Sequence, residues 1–168
     1  MKKLKAICVL WCVMLLTLNL HAQESIPENL DMTKFKFKDA EGKDVNLSEF
    51  KGKYIYLDVW ASWCRPCINE FPSFDSLKVE FKDKKIVFLQ LSCDQSEMRW
   101  RNEMGFTKRK ADHFQWFVNG DPAFMKELMV ATIPRYLLID KKGKLIKSHM
   151  TRASDRETKT VLAKLKGA

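Results

Sequence analysis

Two cysteines stand three residues apart in the stretch Cys64-Arg65-Pro66-Cys67, after a run of apolar and aromatic residues from Tyr54 to Trp60 and ahead of a helical pattern. That order constrains the chain more than any other feature. It reads as a strand that delivers Cys64 to the first turn of a helix. Pro66 suits that turn, because the first helical N–H groups have no intrahelical acceptor and proline pre-sets φ. A helix start favours thiolate over thiol at Cys64, and Arg65 acts in the same direction. One turn of helix brings Cys67 back beside Cys64, within reach of a disulfide. The pair can therefore cycle between dithiol and disulfide. The spacing alone also fits half of a zinc site or a purely structural bridge.

The chain opens with Lys2, Lys3 and Lys5, then the apolar run Ala6 to Leu20, then Leu20-His21-Ala22. Basic, apolar and small residues in that order describe a secretory signal peptide cut after Ala22. The apolar run falls short of the ~20 residues that span a bilayer comfortably. An uncleaved N-terminal anchor is the second reading. The expected organisation is a signal peptide over 1–22, a short tail over 23–32 and one domain over 33–168. Export removes Cys8 and Cys12 and leaves Cys64, Cys67 and Cys93, one working pair and a leftover rather than a disulfide scaffold. It also places the pair in an oxidising compartment, where something must reset it. The formal charge of +9 drops to +6 with the three signal lysines. Export argues against nucleic acid as a partner, and the basic balance reads as a solvated surface.

Lys34 to Lys38 alternates apolar and basic, Asp39 to Gly42 is a turn, and Lys43 to Leu47 returns, so a hairpin is expected. Ser48 with Glu49 caps a short turn ending near Phe50. The helix from Pro66 carries Ile68, Phe71, Phe74, Leu77 and Phe81 on one stripe, and Pro72 bends it. Lys85 to Ser92 is a near-continuous apolar run that suits a parallel strand covered on both faces. Ser96 to Met104 reads as a helix capped by Ser96 or Asp94 and stopped by Gly105, Phe114 to Val118 as a short strand, and Pro122 to Val130 as a helix. Arg135 to Asp140 and Leu145 to His149 are strands around a Lys141–Lys144 turn, and Asp155 to Leu165 closes the chain as a helix. The basic stretch Arg99 to Lys110 reads as a helix with one solvated side or as a docking face.

The residues W-A-x-W-C-x-P-C at 60–67 resemble the thioredoxin active site. The upstream pattern G-x-x-V-x-L-S-x-F-x-G-K at 42–53 is similar to extracytoplasmic thioredoxin-like proteins of the TlpA/ResA type, within the thioredoxin superfamily and its AhpC/TSA-like domains. The resemblance covers residues 33–166. It implies an α/β thioredoxin fold: a central mixed sheet flanked by helices, an N-terminal β-hairpin and a central helix–strand insertion.

It also implies roles. Cys64 is the exposed nucleophile and Cys67 the buried resolving thiol. Asp58, six residues before Cys64, stands where thioredoxins keep a buried acid, and Glu70 matches a glutamate that TlpA/ResA-type proteins keep beside their cysteines. Either carboxylate can serve Cys67 as a base. Trp63, Arg65 and Pro66 form the rim that meets partners, with Trp60 in the core. Pro134 is expected to be cis, which frees the Ile133 backbone to pair with an extended substrate. Arg135 and Tyr136 replace the threonines often found after this proline. Cys93 reads as a buried free thiol, and His113 and His149 have no spacing for a metal.

No cofactor and no metal are expected. The implied activity is thiol–disulfide exchange with envelope proteins in the periplasm, chiefly their reduction, for example in cytochrome c maturation. A membrane thiol reductant would recycle the pair. A peroxiredoxin-like peroxidase shares the fold but needs a proline and a threonine before its reactive cysteine, where this chain has Asp58 and Ala61. A non-catalytic binding module is the third reading.

Overall fold

Apolar residues dominate Tyr54–Trp60 and Ile86–Ser92, and the two stretches lie side by side as parallel strands, buried almost throughout. The computed structural model describes residues 26–27, 29–109, 114–119 and 121–168. The expected signal segment, most of the 23–32 tail's first half, Lys110 and His113 lie outside the described residues. The strands are β1 (Phe37–Lys38), β2 (Asp44–Val45), β3 (Tyr54–Trp60), β4 (Ile86–Ser92), β5 (Gln115–Phe117), β6 (Arg135–Ile139) and β7 (Leu145–Met150). The helices are α1 (Arg65–Asn69), α2 (Phe71–Glu80), α3 (Glu97–Phe106), α4 (Pro122–Glu127) and α5 (Arg156–Ala163). The strands form one mixed seven-stranded sheet in the order β2-β1-β5-β4-β3-β6-β7. β3 runs parallel to β4 with Tyr54 opposite Ile86 and Asp58 opposite Gln90, and antiparallel to β6 with Asp58 opposite Tyr136.

The two-residue period of β3 divides its side chains between two faces. Ile55, Leu57 and Val59 join Leu89, Leu91, Leu137 and Ile139 in a core with Phe37, Trp116 and Phe124. On the other face, Tyr56 joins Phe88, Tyr136 and Leu138 under Phe74 and Leu77 of α2 and Leu162 of α5. Trp60, at the end of that face, belongs to a third cluster with Cys64, Cys67, Phe71, Trp100, Met104 and Phe117. Full burial of one such side chain contributes roughly 1.5–3 kcal/mol. Asp58 therefore sits between two apolar clusters, one of which holds both cysteines.

Several local expectations are corrected. The hairpin strands shrink to two residues each, because Asp31 caps a 3-10 turn at Met32–Lys34 and Asn46 caps another at Leu47–Phe50. Asn46, not Ser48, is that cap, accepting from the Ser48 N–H at 2.9 Å while Glu49 reaches back to the Asn46 N–H. The bent helix is two helices. Pro72 has no N–H to give the Ile68 carbonyl, and Glu70 closes α1 and opens α2. Gly105 does not stop α3, which runs on to Phe106. A helical glycine costs only about 1 kcal/mol, and buried Trp100 and Met104 hold the helix. Neither Ser96 nor Asp94 caps α3 by its side chain. Among the described residues no helix is long and apolar enough to cross a membrane.

Candidate active site

The C-terminal end of β3 carries Trp60 into a short loop, and Cys64 is the N-cap of α1 with Pro66 in its first turn. Cys64 and Cys67 are joined in a disulfide, their Cα atoms 5.3 Å apart. The Cys67 N–H donates to Cys64 Sγ at 3.2 Å. That donor favours negative charge on this sulfur once the bond is reduced. The expected exposure of Cys64 is corrected: it is 4% exposed, and Cys67 is fully buried. In the bonded state its sulfur turns toward its partner and the helical N–H, within the cluster of Trp60, Phe71, Trp100, Met104 and Phe117. The neighbouring surface is open, with Trp63 65% exposed and Arg65 and Pro66 also exposed.

The loop before Cys64 is held by a residue that motif reading did not single out for this task. Asp94, 3% exposed, accepts from the Ser62 N–H at 2.9 Å, the Ser62 hydroxyl at 2.7 Å and the Ser92 hydroxyl at 2.8 Å. The Cys93 N–H adds a bond to the Trp60 carbonyl at 2.8 Å. Asp94→Ala leaves three donors without their acceptor, and an orphaned buried donor costs about 1–3 kcal/mol. We expect a loss of about 3 kcal/mol in denaturant unfolding of the oxidised protein. Asp94→Asn, which keeps an acceptor, should recover part of it. Equal stability of Asp94→Ala and the native chain would contradict this account of the loop.

Opposite the cysteines, the Ile133–Pro134 peptide bond is cis. Ile133 packs against both the main core and the cluster that contains the disulfide. Arg135 reaches back from β6, donating to the carbonyls of Met129 at 3.4 Å and Ser148 at 3.2 Å, and so fastens the loop before Pro134. Between this loop and Trp63 lies a groove of about 530 Å³, lined by Trp63, Cys93, Met125, Val130, Thr132 and Ile133 among others. A bonded C-x-x-C at a helix start, with a cis proline and an open apolar groove alongside, has the parts needed for dithiol–disulfide exchange.

The sequence profile of the Redoxin family matches residues 27–165, nearly all of the described chain. The chain belongs to the Redoxin family. It is 31% identical over 124 residues to the thiol-disulfide oxidoreductase ResA of Bacillus thuringiensis subsp. konkukian (strain 97-27), covering 74% of this chain and 70% of that protein. ResA of Bacillus subtilis (strain 168) is 30% identical over 125 residues, covering 74% and 68%. The crystal structure of a Bacteroides vulgatus protein provisionally described as a thiol-disulfide oxidoreductase superposes with a TM-score of 0.71 at 36% identity, covering 77% of this chain and 89% of that one. This Redoxin-family chain is thus a ResA-like thiol–disulfide oxidoreductase with a thioredoxin fold.

Both carboxylates that the sequence offered to this Redoxin site are found in defined places. Asp58 is fully buried. Its Oδ2 accepts from Gln90 Nε2 at 3.0 Å, while its Oδ1 has no hydrogen-bond partner among the described residues. Burial pushes the carboxyl up to about 7. The Gln90 N–H and the Arg109 charge oppose that rise, and the Glu70 charge adds to it. Glu70 is half-buried, and its carboxylate takes the Ser154 N–H at 3.0 Å and the Ser154 hydroxyl at 2.9 Å. It straps the α1–α2 joint to the loop ahead of α5.

Cys93 is half-buried and lines the groove, with burial and the Asp94 charge pushing its thiol up to about 11. It is therefore protonated at neutral pH and a poor nucleophile. Trp60 is in the core as expected, and His149 is exposed on β7. As far as Phe106 the basic stretch from Arg99 is a helix with one solvated side, as expected, with Trp100 and Met104 on its buried side; beyond the helix Arg109 is 7% exposed. Sequence reasoning missed Gln90, Arg109 and Asp94. The available signal was polar residues at alternate positions of an apolar strand, Gln90 and Ser92, on the face that carries Asp58.

Proposed function

We propose that this chain is an exported oxidoreductase that reduces disulfides of envelope proteins, with the periplasm as its place of action. The observation that carries the reading is the Cys64–Cys67 pair beside a cis-proline loop and a groove open to an extended peptide. The Cys64 thiolate attacks one sulfur of a substrate disulfide, forming a mixed disulfide and releasing the substrate's other sulfur as a thiolate, which takes up a proton. Asp58 accepts the Cys67 proton. The Cys67 thiolate then attacks Cys64 Sγ, and the second substrate sulfur leaves. Two electrons pass to the substrate, and the chain ends as the Cys64–Cys67 disulfide. A membrane thiol reductant returns it to the dithiol.

A carboxyl poised near neutrality suits this transfer, because it can take a proton at pH 7 and return it. Glu70 acts on the same proton through its charge, which helps hold the Asp58 carboxyl up. Trp63, Arg65 and Pro66 present the exposed rim, and the Ile133 backbone pairs with the substrate segment. The resemblance to ResA-type proteins supports reduction over general oxidative folding, with cytochrome c maturation as one setting.

The test is a trap. Cys67→Ala keeps the attacking sulfur and removes the resolving one, so mixed disulfides with envelope proteins should accumulate and dissolve on adding a small thiol. An absence of thiol-sensitive adducts in envelope extracts would remove proteins from the substrate class.

A further inference from the structure

A buried amide and a buried cation lie behind Asp58, outside the cysteine motif. Gln90 Oε1 accepts two hydrogen bonds, from Arg109 Nη1 at 2.7 Å and from Gln115 Nε2 at 2.7 Å. A guanidinium has donors and no acceptor. The Gln90 amide therefore cannot turn over without setting its NH₂ against the Arg109 cation and losing the Arg109 bond. Its nitrogen is held toward Asp58 Oδ2. Arg109 is itself fixed on three sides. Its Nη2 donates to Asp75 Oδ2 at 2.6 Å and to the Phe71 carbonyl at 3.3 Å, and its guanidinium lies 4.3 Å from the centroid of the Phe71 ring. Phe71 in turn meets Trp60 edge to face at 5.0 Å, in the cluster that contains the cysteines.

We propose that Arg109 is a positioning residue for the exchange reaction: it locks the Gln90 amide so that Asp58 Oδ2 always meets a donor and Oδ1 alone carries the proton. This inference rests on the reading of Asp58 as the base for Cys67. Without the lock, Gln90 can rotate and offer its oxygen to a protonated Asp58. That acceptor favours the acid form, so at neutral pH fewer molecules hold Asp58 ionised and free to take the Cys67 proton. Other groups interacting with Asp58 stay in place when Arg109 is changed. They are Glu70 at the α1–α2 joint, whose charge raises the Asp58 carboxyl, and Tyr56 on its own strand, Tyr136 on β6 and Cys93 after β4, whose own protons the Asp58 charge holds on. Asp75, the surface partner of Arg109, remains on α2.

The experiment compares Arg109→Met, Arg109→Lys, Gln90→Leu and Asp58→Asn in the full chain. One readout is the pH profile of disulfide reduction. The other is the titration of the Asp58 carboxyl carbon by NMR in the dithiol form. Gln90→Leu, and Arg109→Met, which removes the cation as well as the lock, should move the Asp58 midpoint upward by about one pH unit, and slow reduction about fivefold at pH 7 with recovery above pH 9. Arg109→Lys keeps a cation but cannot span Gln90, Asp75 and the Phe71 carbonyl together. It should shift the midpoint the same way by less, and it decides the matter if the methionine variant does not fold. An unmoved midpoint in the folded arginine variants, with only stability lost, would overturn the positioning role. An Asp58→Asn profile identical to the native one would instead overturn Asp58 as base, whatever Arg109 does to the carboxyl.

Discussion

Replacing Cys64 by serine will lower thiol-dependent insulin reduction by at least about a thousandfold, the scale seen when a covalent nucleophile is deleted. A serine hydroxyl does not ionise at neutral pH and cannot form the sulfur–sulfur bond on which the cycle depends. The replacement leaves the surroundings in place: Cys64 is a small N-cap residue, and serine caps helices well. A loss of activity will therefore report chemistry rather than unfolding, which an unchanged thermal transition of the reduced proteins will check. Cys93→Ser is the internal control. Its thiol is pushed up to about 11 by burial and the Asp94 charge, so its loss should leave kcat within about twofold, any change falling on KM because Cys93 lines the groove. Residual activity of Cys64→Ser within tenfold of native would contradict the assignment of the nucleophile. A collapse of activity in Cys93→Ser would bring a third sulfur into the cycle.

The parts of this site that could be read in advance are those whose physics is local. Cys64, Pro66 and Cys67 lie within one turn of helix, so spacing alone brought the sulfurs together. The apolar runs at 54–60 and 86–92 announced two buried strands. The cis bond before Pro134 was legible only through resemblance to a known family, since no local rule demands it. Asp58 meets Gln90, 32 positions on in the chain, because β3 and β4 pair in a parallel register, and periodicity does not set that register. Arg109 looked like one more cation in a basic stretch. Its burial depends on how the chain after α3 folds back over Phe71 and Asp75. Asp94, like Ser96, reads from the sequence as a cap for α3, yet its carboxylate takes both donors of Ser62, distant in sequence. The sealed disulfide, too, depends on what surrounds it: Trp100, Met104 and Phe117 all come from the insertion.

Asp58→Asn will stabilise the oxidised protein at alkaline pH and not at acid pH. In an unfolded chain the carboxyl titrates near 3.8, whereas burial in the fold pushes it up to about 7. Between those values the unfolded chain has released the proton and the folded chain still holds it. Stability therefore falls as pH rises through this window. Below about 4 both states are protonated and the group costs nothing. Above about 7 both are ionised and the full cost of a buried carboxylate is present, roughly 4 kcal/mol for this interval. Asparagine carries no such proton. Its oxygen can still accept from Gln90, but its amide nitrogen would occupy the place of Oδ1, where the described residues offer no partner, at about 1–2 kcal/mol at every pH. The variant should melt about 5–10 °C above the native chain at pH 8.5, and at or below it at pH 4. Both proteins must be kept as the Cys64–Cys67 disulfide, so that no thiol titration enters the comparison. A melting difference independent of pH would mean that the Asp58 carboxyl keeps its ordinary value in the fold, and so weakly basic a carboxylate would be a poor acceptor for the Cys67 proton in the resolving step.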